Sequence, residues 1–409
     1  MHTNEPNDLV PTPGTAAGAR RPDSGPDAPS TGTLSAHAPH GADVASPAPS
    51  SNDAVNATDE RMRRRLERGA DALPTKVPWG AVTVFIAIAF VGAWLACLPL
   101  WLGGASLDVV DPVTFQLLLL GMMYTPTIAA LVVVFLVQRP ARKARYLGLV
   151  FRPSGRTILF IAIGIVAPPV LFALSMLLAA ALGYVTLDLA NVSALRELFA
   201  QNLAAAGASD QAGTFDAMPP AVLVLITILQ TLVFAVPMAT IAAFGEELGW
   251  RGWLLPSLRP LGTWPAIAIS CVVWALWHAP IILLGYNFND RGPLGLVMMI
   301  GFCLAGGSFI SWLRLRSATV YPAAVAHGSL NAFAATIFIC MADAGSTMDG
   351  LTTIVGWTGW VPFLLLVGVL VLLGQFARQP LPGLTLAESV IASQRAGEAT
   401  PATSGAVSH

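Results

Sequence analysis

The sequence predicts an all-α, polytopic membrane protein with about eight transmembrane helices and a polar site inside the helix bundle. Three observations lead there. Hydrophobic residues make up 55% of the chain and charged residues 11%, with a mean hydropathy of +0.67, a balance foreign to soluble domains. The apolar residues gather in runs that approach or exceed the roughly 20 needed to cross hydrocarbon. Basic residues, finally, sort to alternate loops between those runs.

Three regions follow from composition. Residues 1–75 form a tail dominated by Pro, Ala, Gly, Ser, Thr and Asp as far as Asp59, turning basic at Arg61-Met-Arg-Arg-Arg65. With almost no large apolar side chain to bury, this stretch is expected to be disordered. The apolar run after it is too long and too far from the start for a signal peptide. Residues 76–374 form the membrane domain, and residues 375–409 a second polar tail in which Leu381 to Ile391 is a candidate surface helix.

Within the membrane domain the expected spans are Trp79–Leu102, Val113–Val137, Thr157–Leu182, Ala221–Phe244 and beyond, Trp264–Gly285, Leu294–Leu313, Val320–Met341 and Trp357–Gly374. Trp79, Trp101, Trp264, Trp312 and Trp357 stand at span ends, as interfacial aromatics do. Pro126, Pro168-Pro169 and Pro237 interrupt the second to fourth spans, and Ala305-Gly-Gly-Ser308 suits close helix packing. With the N-terminus inside, 20 of the 22 Lys and Arg fall on the cytoplasmic side, all but Arg196 and Arg291. Both termini are therefore expected in the cytoplasm, in a multi-pass protein of the cell membrane. Cys97, Cys271, Cys303 and Cys340 lie in apolar spans without metal-type spacing and read as packing residues. A net charge of −1 and the lack of a basic patch with interleaved aromatics offer nothing to nucleic acid.

Three polar motifs break the apolar spans. Glu246 and Glu247 are the two carboxylates inside them, in Phe244-Gly-Glu-Glu-Leu-Gly-Trp-Arg-Gly-Trp253. An ionised group there costs roughly 2.5–3.5 kcal/mol on insertion scales. Glu247 and Arg251 at i, i+4 share a face and can pair, either as a structural lock or as part of a reaction site. Glu246 is turned about 100° away and lacks a basic residue one turn off, which favours a functional role. Trp274-Ala-Leu-Trp-His278-Ala-Pro280 places a ring and an imidazole on one face, and Pro280 is expected to free the carbonyl of Leu276 for the histidine. In His327-Gly-Ser-Leu-Asn331 two donors share a face, suited to an oxyanion or to an interhelical clamp. The depths agree only if the fourth helix continues to about Leu255.

Glu-Glu-x-x-x-Arg, aromatic-x-x-x-His and His-x-x-x-Asn on successive late helices resemble the intramembrane glutamic endopeptidases of the CPBP family. Its members include CAAX-prenyl endopeptidases and bacterial proteins linked to bacteriocin immunity. The resemblance covers roughly residues 221–341, and it departs from the family at Trp274, where phenylalanine is usual. It implies that Glu246 and His278 activate water for attack on a peptide carbonyl. It further implies that His327 and Asn331 form the oxyanion hole and that Glu247 and Arg251 support the site or touch substrate. The expected partners are the lipid bilayer and a membrane-associated peptide or protein, with no cofactor and no metal.

Competing readings are a non-catalytic membrane partner of the immunity or scaffold type, a zinc metalloprotease built on Glu246, His278 and His327, and a proton-coupled transporter. Retention of all six polar residues disfavours the first. The absence of an internal repeat, and the confinement of polar residues to one half of the chain, disfavour the last.

The orientation is open to a direct test. In a background lacking the native cysteines, single cysteines at Ser154 and Ser317 should react with an impermeant thiol reagent only from the cytoplasm. Those at Ser106 and Ser346 should react only from outside. Reversed labelling at Ser317 would turn the molecule over.

Overall fold

The computed structural model describes residue 74 and residues 76–377, apart from 104–106, 108, 109, 152, 349 and 351–353. Most of the N-terminal tail and the candidate surface helix at Leu381 to Ile391 lie outside the described residues. The regular elements among the described residues are all helices, with an isolated bridge between Leu187 and Ala342. We label the principal helices α1 Trp79–Leu102, α2 Pro112–Val137, α3 Gly155–Ala181, α4 Ser193–Ala205, α5 Pro220–Leu261, α6 Thr263–Trp277, α7 Pro293–Ser317, α8 Tyr321–Met341 and α9 Trp357–Leu372.

Six of these, α1, α2, α3, α5, α7 and α8, are long and apolar enough to cross a membrane. The other two expected spans are shorter than anticipated: α6 and α9 are apolar helices of 15 and 16 residues. α6 stops at Trp277, and the chain turns through the short helix Ala279–Ile282 instead of running on to Gly285 as one helix. Large apolar side chains stay exposed along α1 (Val91, Leu95), α3 (Val166, Val170), α5 (Val233, Phe234, Met238) and α9 (Leu364, Leu365). In a bundle whose solvent is lipid, such residues form the outer surface.

The longest helix carries the most consequential irregularity. α5 runs for 42 residues without interruption, reaching beyond Leu255 as the depth argument requires. It is α-helical at Pro220–Gln230 and Val236–Glu247 and widens to π turns at Thr231–Ala235 and Leu248–Leu254. Each π turn lies just before a proline, Pro237 or Pro256. A proline supplies no N–H and crowds the carbonyl four residues back, and one wider turn absorbs both defects without breaking the rod.

The inner helices approach closely because glycines stand where they cross. α5 and α8 make one of the most extensive contacts in the bundle, and a Cβ on Gly328 would fall 2.5 Å from the backbone N and Cα of Thr240. On the other side of α5, Gly249 lies against Pro126, and Gly245 against Tyr124. Gly164 of α3 lies against Pro322 and Ala326 of α8. Without a hydrophobic drive between helices in lipid, such close backbone approach is a main source of association.

Tryptophans mark the edges only in part. Trp79 and Trp264 are exposed at helix ends as expected. Trp312 is not interfacial: it is buried, edge-on to Phe160 and stacked on Phe309, because the last turns of α7 lie inside the bundle. All four cysteines are free and buried. Outside the spans, the backbone N–H of Thr114 donates to Asp111 at the start of α2 and holds that carboxyl below its usual range.

The glycine contact makes a stability prediction. Gly328→Ala should force α5 and α8 apart and destabilise the protein by about 1–3 kcal/mol, the usual cost of overpacking. Gly368→Ala in α9, where no atom lies within 4 Å of the new Cβ, should be neutral or mildly stabilising. Melting in detergent compares the two.

Candidate active site

α5 and α6 form an antiparallel pair with the turn at Gly262. Glu246 lies 15 residues before Leu261 and His278 lies 15 residues after Thr263. At 1.5 Å per residue each is about 22 Å from the turn, so the two come level inside the bundle. α8 enters from the same side, which places His327 in its second turn. The apparent mismatch in depth disappears because α5 extends well past the start of α8.

Both carboxylates are buried, and each has its own partners. Glu247 is fully buried and its Oε1 accepts hydrogen bonds from Nη1 of Arg251 at 2.7 Å and Nδ1 of His327 at 2.9 Å. The i, i+4 pairing survives the π turn because one residue's extra width still leaves the two side chains nearly in line. Arg251 is also fully buried, with its guanidinium carbon 4.3 Å from the ring centroid of Trp274. Room for this stack depends on Gly307 of α7, where a Cβ would lie 2.7 Å from Sγ of Cys271 and 2.9 Å from Nη2 of Arg251. Oε2 of Glu247 and Nε and Nη2 of Arg251 are buried without hydrogen-bond partners among the described residues.

Glu246 is held differently. Its Oε2 accepts from the indole N–H of Trp274 at 2.7 Å, and among the described residues no Lys, Arg or His nitrogen lies within ion-pair distance of it. The imidazole of His278 bonds through Nδ1 to the backbone carbonyl of Trp274 at 2.9 Å. This corrects the expectation that the carbonyl of Leu276 would serve. The backbone N–H of His278 turns to Ala275, tightening the end of α6 and releasing the Trp274 carbonyl one turn back. A carbonyl only accepts, so Nδ1 carries the hydrogen and Nε2 of a neutral ring carries the lone pair. The ring of His278 lies edge-on to Trp277 and Trp274, and that of His327 edge-on to Trp274.

Five of the six expected polar residues, Glu246, Glu247, Arg251, His278 and His327, are thus buried around Trp274. Asn331 follows His327 by one turn but is exposed, and its amide makes no hydrogen bond among the described residues. Among the described residues no three His, Cys, Asp or Glu side chains are arranged to hold a metal ion.

The sequence reading overlooked the support supplied by α2. Thr125 takes the indole N–H of Trp277 at 3.1 Å, and its single hydroxyl hydrogen lies within reach of the backbone carbonyls of Met122 and Ala89. Thr127 donates to the carbonyl of Gly245, and Tyr124 to that of Ile241. Arg314 donates to the carbonyl of Arg251, fixing the π turn from α7. The signal was present in Tyr124-Thr-Pro-Thr127, a polar run inside an apolar span.

Comparison with known proteins falls on the same helices. Residues 228–333 match the model of the family described as type II CAAX prenyl endopeptidase Rce1-like. The chain is 32% identical over 83 residues to CAAX prenyl protease 2 of Methanococcus maripaludis, an alignment covering 19% of this chain and 30% of that protein. No solved structure matches.

The ion pair predicts an asymmetry of stability. Arg251→Met leaves Glu247 buried with one cation fewer and should cost about 3–5 kcal/mol. Adding Glu247→Gln to that variant should recover part of the loss. Full additivity of the two substitutions in a melting experiment would deny the pairing.

Proposed function

We propose, from the match of residues 228–333 to the model of the Rce1-like type II CAAX prenyl endopeptidases, that this protein is an intramembrane endopeptidase in which Glu246 and His278 activate water. The observation that carries this reading is the pair's shared anchorage: both are buried, both are tied to Trp274, and neither is neutralised by an ion pair. Oε1 of Glu246 and Nε2 of His278 have no protein partner among the described residues, which leaves each free to accept a proton from water.

In the proposed reaction a water gives up a proton to this pair as its oxygen attacks the peptide carbonyl. The charge that develops on the carbonyl oxygen is met by donors from α8. His327 donates Nδ1–H to Glu247, so it can offer a second N–H only as an imidazolium. The Glu247 carboxylate is the counter-ion that suits this form, and Arg251 holds that carboxylate in place. Asn331, with an uncommitted amide one turn along, is the second donor. Collapse of the tetrahedral intermediate returns the proton from the Glu246–His278 pair to the leaving amine. Glu247 and Arg251 act in this scheme through His327, without touching the reacting atoms.

The site is assigned to the cytoplasmic half of the membrane. The ends of α5 and α7 nearest to it carry Arg259, Arg314 and Arg316, and Arg156 at the start of α3 donates to the carbonyl of Arg316. The opposite side carries Asp111 ahead of α2, Asp188 beyond α3 and Asp343 beyond α8. That sorting supports both termini on the cytoplasmic side. The substrate is a membrane-associated peptide. A prenylated C-terminal segment, as the name of the Methanococcus protein suggests, is the first class to test.

Glu246→Gln, which removes a charge while keeping shape, should leave melting unchanged and abolish cleavage. Proteomic comparison of membrane-protein termini in cells with wild-type and variant protein should show a set of termini that vanishes with Glu246. Chelation of purified wild-type protein should leave cleavage intact. Loss of activity on chelation that zinc alone restores would replace this mechanism by a metal-dependent one.

A further inference from the structure

We propose that Trp274 is the positioning residue of this site: its indole N–H fixes the Glu246 carboxylate and its backbone carbonyl fixes the His278 imidazole, so a single residue sets how the two groups face one another. The inference rests on the Glu246–His278 reading above and adds to it the device that aligns the pair.

The geometry is direct. The indole nitrogen is 2.7 Å from Oε2 of Glu246 and the carbonyl oxygen is 2.9 Å from Nδ1 of His278. Each contact takes up one end of its group and leaves the other end, Oε1 or Nε2, uncommitted. The indole N–H is the one donor that reaches Glu246 among the described residues. A carboxylate on three rotatable bonds, buried in an apolar bundle with no cation at ion-pair distance among the described residues, would otherwise be free to swing. A charge-assisted hydrogen bond removes that freedom.

Trp274 is itself held on three sides. The Arg251 guanidinium lies over its ring, the His327 ring stands edge-on to it at 5.2 Å between centroids, and Gly307 leaves space for its outer edge at 3.3 Å from a would-be Cβ. Through Arg251 and His327 it also touches both partners of Glu247. The two carboxylates thus belong to two hydrogen-bonded groups, and the indole lies between them. Phenylalanine at 274 would keep an aromatic face for Arg251 and the same backbone carbonyl for His278. It would lose only the donor to Glu246, so the two functions of the residue can be separated.

The test removes the donor without removing the shape. Trp274 is replaced site-specifically by 3-benzothienylalanine, in which sulfur stands in for the N–H, and in parallel by Trp274→Phe. Ultraviolet resonance Raman difference spectra of wild type against Trp274→Phe should show a strongly hydrogen-bonded indole N–H, weakened in Glu246→Ala. A free N–H, or one indifferent to Glu246→Ala, overturns the proposal whether or not a substrate is in hand. Kinetics are then read in proteoliposomes with a farnesylated peptide ending in a CAAX sequence. The sulfur analogue should lower kcat about 10- to 100-fold with KM unchanged within about twofold, as expected when a charge-assisted hydrogen bond to the base is lost. Wild-type kcat in the analogue overturns the proposal, as does a rise in KM alone, which would make Trp274 a wall of the substrate site. Failure of the reading beneath it looks different: wild-type cleavage by Glu246→Gln, or an unreactive wild type with the Raman signature intact, counts against the reaction and not against the contact.

Discussion

Two adjacent carboxylates buried in a bundle surrounded by lipid are the constraint around which this molecule is arranged. Neither Glu246 nor Glu247 can be left bare at that depth, since each unsatisfied charge costs several kcal/mol. Oε1 of Glu247 is met by Arg251 from its own helix and by the His327 imidazole from α8. Glu246 is satisfied by a neutral donor, the indole of Trp274. Adjacency in sequence turns the two side chains toward different neighbours, and the difference in neighbours separates their chemistry. Oε1 of Glu247 is committed to Arg251 and His327, while Glu246 has no ion pair among the described residues.

Meeting that constraint requires helices from both ends of the chain to come closer than side chains normally allow. The glycines supply the space. Gly328 lets α8 touch α5 one residue away from His327, Gly307 admits the Arg251–Trp274 stack, and Gly245 and Gly249 let α2 lie on the stretch of α5 that carries the glutamates. The π turn at Leu248–Leu254 serves the same end, since it carries Arg251 past Pro256's missing hydrogen bond while keeping it in line with Glu247. Arg314 and Thr127 then bond to backbone carbonyls of this stretch, so the irregular segment is held from α7 and α2. Rigidity here comes from polar contacts inside an apolar bundle, where few competing partners exist.

Tryptophan carries several tasks in this arrangement because it joins a large apolar face to one donor. Trp274 offers its face to Arg251, T-shaped contacts to both histidine rings and its N–H to a carboxylate, while Trp277 ties the end of α6 to Thr125 on α2. Trp250 and Trp253 pack against Phe85 of α1. The early helices therefore enclose the polar cluster that the later helices build.

The sequence by itself determined the all-α membrane architecture, five of the six membrane-length spans within a few residues at both ends, and the set of polar residues. Hydropathy and the cost of a charge in hydrocarbon act on each residue locally, and both are legible without knowing any neighbour. It also predicted the Glu247–Arg251 pair, because i, i+4 proximity is a property of one helix. Only the tertiary structure decided what each group faces: that His327 bonds Glu247, that Trp274 holds both Glu246 and His278, and that Asn331 is left exposed. It also decided that Trp312 belongs to the interior and that α6 ends early at His278. Several of these contacts join helices far apart in the chain, His327 to Glu247 across 80 residues among them. They depend on where backbones cross and on which glycine lets them cross closely, and no period in the sequence records that.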